Sequence, residues 1–316
     1  MPPTSAIDDQ LTAVAAAYGL GDLVRHQRLG GTNDNFAITT TTGTYLCKIV
    51  VNTTIDDILA GLPFLRRIEE HGFTVAVTYL KTTDGRTAYE APDFAAVVLP
   101  FLDGQRPVPS AAVNHEVGAA LARLHEIPAD GLPHKPHWFD GRYLSETLEV
   151  ALRRHGADLM PETLRVIDSL RGFNPDEFPQ VIIHGDVDPS NSLMTEAGIR
   201  FLDWQDVAIG AAIMDVAGTA LGFCFVQQGD QWRFDSELYD ALAEGYGSVR
   251  RLGRAEAEHL GDAMRYIAIT QPVWSMSVWD QYHPGQPMIE TSLFYWVYGM
   301  DEVRLPAWRA PNSVGP

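Results

Sequence analysis

Residues 181–206 read VIIHGDVDPSNSLMTEAGIRFLDWQD. Two short apolar runs, SLM and IRFL, flank TEAG and read as a β-hairpin. A hairpin brings its two ends together, so Asn191 and Asp203 become neighbours, with His184 and Asp186 just upstream. Two carboxylates and an amide oxygen form a hard oxygen site suited to Mg²⁺, which takes few protein ligands and completes its shell with water and substrate phosphates. Phosphoryl transfer uses that set, with one carboxylate deprotonating the attacking hydroxyl while the second carboxylate and the amide hold metal. On this reading Asp186 is the base, and Asn191 and Asp203 are the metal ligands. The plainer alternative makes Asp186 and Asn191 turn caps and Asp203 a strand end. The H-x-D-x-x-x-x-N spacing with a further strand-terminal Asp favours the first.

Composition bounds the rest. The chain has 316 residues, 46% hydrophobic and 20% charged, enough for one large domain or two lobes of an ordinary globular protein. No apolar run is long enough to span a bilayer, and MPPTSAIDDQ resembles no secretion signal, so a soluble, cytoplasmic protein without a membrane partner is expected. Cys47 and Cys224 each sit in an apolar segment and are expected as buried thiols. With 23 Lys and Arg against 41 Asp and Glu, the net charge of −18 repels a polyanion and argues against nucleic acid. Any phosphate must be bound locally, by a few cations, backbone N–H groups or a metal.

Along the chain, IDDQLTAVAAAYGLGDL predicts a helix ending near Gly19 and Gly21, and GTNDNFAITTTTGTYLCKIV a hairpin around Gly43. A helix is expected over 54–71, then strands in FTVAVTYL, TAYEAP and FAAVVLPFL. The Pro- and Gly-rich LPFLDGQRPVP reads as a connector, after which helical periodicity dominates, with Val117, Leu121 and Leu124 on one face and Leu144, Leu148 and Leu152 on another. The expected division is an N-terminal lobe over 1–98, a connector over 99–105 and a C-terminal lobe over 106–316. Lys48, the only charge in TYLCKIV, stands where a phosphate-binding lysine of the kinase pattern sits, though a lone strand lysine is commonly a solvated edge residue. The loop GGTNDN, with Gly31, Asn33 and Asn35, could cover phosphates with backbone N–H groups or simply form a turn.

HGDVDPSN followed by IRFLDWQDVAIGAAIMDVAG resembles the aminoglycoside phosphotransferase and choline kinase superfamily, and AAYGLGDLV, GGTNDNF and GLPFLRRIEEHG resemble its type II homoserine kinases and their sugar-kinase relatives. The resemblance covers nearly the whole chain. It implies an α+β, two-lobed protein-kinase-like fold with a small β-rich N-lobe, a larger helical C-lobe, and ATP clamped between them. It also implies adenine bound to the backbone of the connector Leu99 to Leu102, including Phe101, and structural roles for His184 and Asp215. One departure stands out. The kinase lysine usually pairs with a Glu midway along the next helix, but Ala60, Gly61 and Leu62 occupy that place here.

The function expected is an ATP- and Mg²⁺-dependent kinase acting on a hydroxyl of a small molecule, homoserine-like or a sugar. A cationic hydroxylated antibiotic is the alternative acceptor, and a nucleotide-binding pseudokinase the alternative class. Asp188, Trp204, Trp274 and Asp280 are weaker candidates for acceptor contacts, and the acids Asp230, Asp235 and Glu237 weaker still. His134 and His137 in HKPH are read as loop residues.

Overall fold

A five-stranded antiparallel sheet opens the computed structural model, which describes residues 4–29, 34–50, 54–156, 161, 164, 165, 168, 172–228 and 231–286. Helix α1 (Thr4–Ala17) leads into β1 (Leu23–Arg28), β2 (Asp34–Thr40) and β3 (Thr44–Val50). Then come α2 (Ile55–Ala60), α3 (Leu62–Glu70), β4 (Ala88–Glu90) and β5 (Ala95–Pro100), giving the strand order β1-β2-β3-β5-β4. The helix α1 ends where Gly19 takes a left-handed φ of 65°, a conformation that costs glycine little. Its Leu11, Val14, Ala15 and Tyr18 pack on Phe36, Ile38, Cys47, Ile49, Ala96 and Val98 of the sheet. Each such burial contributes about 1.5–3 kcal/mol for a large side chain, enough to hold the helix on the sheet.

Three sequence expectations for this part are corrected. The fifth strand is LVRHQR, not FTVAVTYL: β1 is a sheet edge with a largely exposed face, so it lacks the apolar alternation that marks a half-buried strand. Residues 73–80 instead form a turn and a single bridge at Ala76 and then pass beside β5, Phe201 N–H donating to Val75 O at 3.0 Å and Leu80 N–H to Val98 O at 2.8 Å. The single helix expected over 54–71 is two, joined at Gly61. Thr54 and Asp57 form a capping box at the start of α2, and Pro63 sits in the first turn of α3, where its missing N–H costs nothing.

The chain then becomes mostly helical: α4 (Ala111–His125), α5 (Gly141–His155), α6 (Ala212–Cys224), α7 (Ser236–Gly247) and α8 (Arg254–Ser277). Four short strands interrupt them, β6 (Gln180–Ile183) paired with β9 (Ala208–Ala211), and β7 (Ser192–Thr195) paired with β8 (Gly198–Phe201). A further hairpin, β10 (Phe225–Gln228) with β11 (Gln231–Phe234), lies between α6 and α7 where helix was expected. Helices α4 and α7 approach until backbone meets backbone, since a Cβ at Gly118 would overlap the Leu242 carbonyl and one at Gly245 the His115 carbonyl. The large core includes Phe64, Leu65 and Ile68 of α3 together with Val117, Leu121 and Leu124 of α4, so α3 is anchored in the C-terminal half while its sheet is not. Both cysteines are buried and unbridged. Among the described residues no helix is long and apolar enough to cross a membrane.

Candidate active site

The β7–β8 hairpin closes as the sequence requires, with Ser192 opposite Phe201 and Leu202 N–H bonded to Asn191 O at 2.8 Å. Asn191 and Asp203 are therefore set side by side. Asn191 Nδ2 donates to Asp186 Oδ2 at 2.6 Å and to Asp186 O at 3.1 Å. Both amide hydrogens are thus used toward Asp186, which leaves the Asn191 Oδ1 as the acceptor that faces elsewhere. Asp188 caps the turn, its Oδ1 accepting from Asn191 N and from Ser190 Oγ, each at 2.7 Å.

His184 fixes the loop from beneath. Its Nε2 lies 2.9 Å from Leu202 O and its Nδ1 3.2 Å from Asp186 N. A carbonyl only accepts and an amide N–H only donates, so Nε2 carries the proton and the ring is neutral. Burial likewise holds its pKa below the ordinary histidine value. Asp215, in the first turn of α6, receives His184 N–H at 2.8 Å and Gly185 N–H at 2.9 Å, and His125 Nε2 lies 3.1 Å away. Burial works to raise the Asp215 pKa, but the His125 hydrogen bond and the other donors outweigh it and the net direction is down. His125 Nδ1 lies 2.8 Å from the Tyr246 hydroxyl, which accepts from Arg250 at 2.7 Å. A buried polar chain therefore runs from the Asp186 loop through α6 and α4 to α7.

Lys48, in β3, is only 6% exposed and is no edge residue. Its Nζ contacts Asp203 Oδ1 at 2.7 Å, so the partner missing from the following helix is the strand-end carboxylate itself. Asp203 holds a left-handed backbone, φ 56° and ψ 63°, the only positive φ outside glycine among the described residues. Such geometry costs on the order of 1–2 kcal/mol and Asp is one of the residues that tolerates it. At the helix position where the acid was sought, Gly61 lies against the loop after Asp203, and a Cβ there would sit 3.1 Å from Val207 Cγ1 and 3.5 Å from Trp204 O.

Asp186 is surrounded by its own kind. Burial pushes its pKa well above the usual carboxylate value, Asp206, Asp188 and Asp203 push further, and the Asn191 hydrogen bond works the other way. Beside it lies a small cavity of about 30 Å³, whose wall includes Trp138, Asp188, Thr219 and Gln271. Trp138 Nε1 donates to Gly185 O at 2.7 Å, tying the 134–139 segment to the loop.

Of the remaining sequence candidates, Asn35 stands opposite Lys48 in the β2–β3 ladder, whereas Gly31 and Asn33 lie outside the described residues, as does Asp230. Leu99 is buried against Ile58 and Val97 at the end of β5, and Phe101 just beyond it is exposed. Trp204 is 2% exposed, donates to Phe201 O and packs on His184 and Phe73 as part of the core. Trp274, Asp280, Asp235 and Glu237 do not line the cavity beside Asp186, and Asp235 caps α7. Sequence reading missed Trp138, Lys135 and His125, because the 134–139 loop and the end of α4 reach the site only through the fold.

The sequence profile of the phosphotransferase enzyme family matches residues 26–260. The homoserine kinase of Rhizobium meliloti (strain 1021) is 26% identical over 295 residues, covering 87% of each chain. That of Caulobacter sp. (strain K31) is 27% identical over 299 residues, covering 86% of this chain and 88% of the other. Among solved structures, an amicoumacin kinase in complex with AMP-PNP and Ca²⁺ superposes with a TM-score of 0.70 at 14% identity over 95% of each chain. A choline/ethanolamine kinase family protein from Mesorhizobium loti gives 0.66 at 16% identity, again over 95% of each. These likenesses show a protein-kinase-like α+β fold.

Proposed function

We propose, starting from the fact that the chain belongs to the phosphotransferase enzyme family and is a small-molecule kinase, that it transfers the terminal phosphoryl group of ATP to the hydroxyl of a homoserine-like amino acid. The observation that carries the reading is the pair of contacts at one hairpin, Asn191 to Asp186 at 2.6 Å and Lys48 to Asp203 at 2.7 Å. They bring two carboxylates, an amide and an ammonium together at one hairpin, which supports a base, metal ligands and a phosphate-binding cation there.

Asp186 is the base in this reading. Its raised proton affinity suits it to take the proton of an acceptor hydroxyl as that oxygen becomes a nucleophile. Asn191 holds the carboxylate in place, and the neutral His184 with Asp215 holds the backbone beneath it. The residues present fit Mg²⁺: Asn191 Oδ1 faces away from its hydrogen-bonded side, Asp203 supplies a carboxylate, and the mutual repulsion of Asp186, Asp188, Asp203 and Asp206 favours a cation among them. Among the described residues no group of three or more His, Cys, Asp or Glu is arranged to hold a metal ion, so Mg²⁺ would depend on phosphate and water for most of its ligands. When bound, Mg²⁺ would neutralise charge on the phosphates. In this reading Lys48 would meet the nucleotide phosphates, and the backbone of the connector after β5 the base.

The acceptor class is supported by the curated relatives, which match over nearly their whole length. The test is phosphate transfer from Mg-ATP to a panel of L-homoserine, neutral sugars, choline and a cationic aminoglycoside. Preferential transfer to L-homoserine is expected. Transfer to the aminoglycoside alone would replace this acceptor reading with the antibiotic one, and nucleotide binding without transfer to any alcohol would make the chain a binding module.

A further inference from the structure

We infer that Lys135 reads a carboxylate on the acceptor, and this rests on the kinase reading above. Lys135 belongs to the segment HKPHWF at residues 134–139, which forms part of the wall of the cavity beside Asp186 through Trp138 and Phe139. Its ammonium donates to Gln205 O at 2.7 Å. An ammonium has three N–H groups, and among the described residues this one makes no other hydrogen bond and has no carboxylate within 4.0 Å. It is half-buried, so water replaces the missing partners only in part. Asp206 and Asp57 are close enough to act on it electrostatically without forming a pair, and Asp206 acts likewise on Asp186. Lys135 therefore stands by Asp206, which in turn acts on both Asp186 and Asp203, with its donors unspent.

Two further facts assign the anion to the acceptor. Lys48, in the sheet, is already paired with Asp203, whereas Lys135 comes from the segment whose Trp138 donates to Gly185 O beside the cavity at Asp186. The wall of that cavity carries Asp186, Asp188 and Asp215 but no Lys, Arg or His, so the nearest cation from the 134–139 segment is Lys135 just outside it. The neighbouring His137 is kept from charging chiefly by burial and does not supply the cation. An acceptor that carries a carboxylate as well as a hydroxyl thus has a positive partner in Lys135, which agrees with the amino-acid class proposed above.

The experiment compares L-homoserine with 3-aminopropan-1-ol, its counterpart without the carboxylate, in the wild type, Lys135→Met and Lys135→Arg, with KM for Mg-ATP measured alongside. Met keeps the aliphatic stem and removes the charge. The expected result is a rise of about 10- to 100-fold in KM for L-homoserine in Lys135→Met, with kcat and the KM for Mg-ATP changing less than threefold. The preference for L-homoserine over 3-aminopropan-1-ol should collapse by the same factor, and Lys135→Arg should restore most of it. An equal loss on both acceptors, or a rise in KM for Mg-ATP instead, overturns the role of Lys135. Wild-type transfer to 3-aminopropan-1-ol with no preference for L-homoserine overturns it too and leaves the kinase reading standing. Transfer to neither, nor to any other alcohol, is the separate failure of the kinase reading.

Discussion

The Lys48–Asp203 pair joins residues 155 positions apart and lets one sheet strand hold the loop after β8, so its strength should be measurable in the absence of nucleotide. The side chains are 8% and 27% exposed and 2.7 Å apart. At an effective dielectric of about 20 the gross attraction at that distance is about 6 kcal/mol, and the cost of removing both ions from water cancels much of it. A net coupling of about 2 kcal/mol remains, roughly 30-fold in the unfolding equilibrium. Asp203→Asn is the right replacement, because Asn also tolerates the left-handed backbone and Ala would add strain of its own. Lys48→Met keeps the stem packed in β3. A double-mutant cycle by urea unfolding of the wild type, Lys48→Met, Asp203→Asn and the double variant gives the coupling directly. Asp203→Asn alone should cost more than Lys48→Met, since it leaves the better-buried charge without its partner. A coupling below about 0.5 kcal/mol, the usual additivity error, would refute the view that this pair latches the strand to the loop.

Asp186→Asn should lower turnover by about 10²- to 10⁴-fold, and calorimetry should find Mg-ATP affinity nearly unchanged. Asp203→Asn, by contrast, should weaken Mg-ATP binding while leaving metal-free nucleotide binding largely intact, measured by the same titration with and without Mg²⁺. Asp215→Asn replaces an acceptor by a donor facing His184 N–H, Gly185 N–H and His125, so unfolding should shift by about 3 kcal/mol and turnover should fall with the loop it supports. Gly245→Ala drives a methyl group into the His115 carbonyl and should destabilise by about 2 kcal/mol or more in thermal unfolding, although alanine is the better helix former.

Much of the site was legible because it is local in the chain. The hairpin needs only two apolar runs and a turn, and once formed it sets Asn191 beside Asp203 without help from the rest of the molecule. Lys48 was found by being the one charge in an apolar strand, but its partner was sought by analogy on the next helix and lies on the loop instead. The strand LVRHQR was missed because an edge strand exposes both polar and apolar residues, and FTVAVTYL was taken for a strand because apolar extended chain carries the same pattern whether or not it joins a sheet. Lys135, Trp138 and His125 were invisible for a different reason. Each reaches the site from a segment at least 45 residues away, and only long-range packing brings it there.

Gly61 bears on how such an enzyme is governed. Protein kinases switch by moving the helix that carries the acidic partner of the lysine, so that displacement of one helix disconnects the phosphate-binding cation. Here the junction of α2 and α3 rests on Val207 and Trp204 at contact distance, and α3 is sunk in the core of the C-terminal half. Lys48 takes its partner from the loop after β8 and not from that helix. A signal that rotated α2 would find no lysine contact to break among the described residues. Rotation of α2 by itself therefore leaves the contact between Lys48 and Asp203 in place.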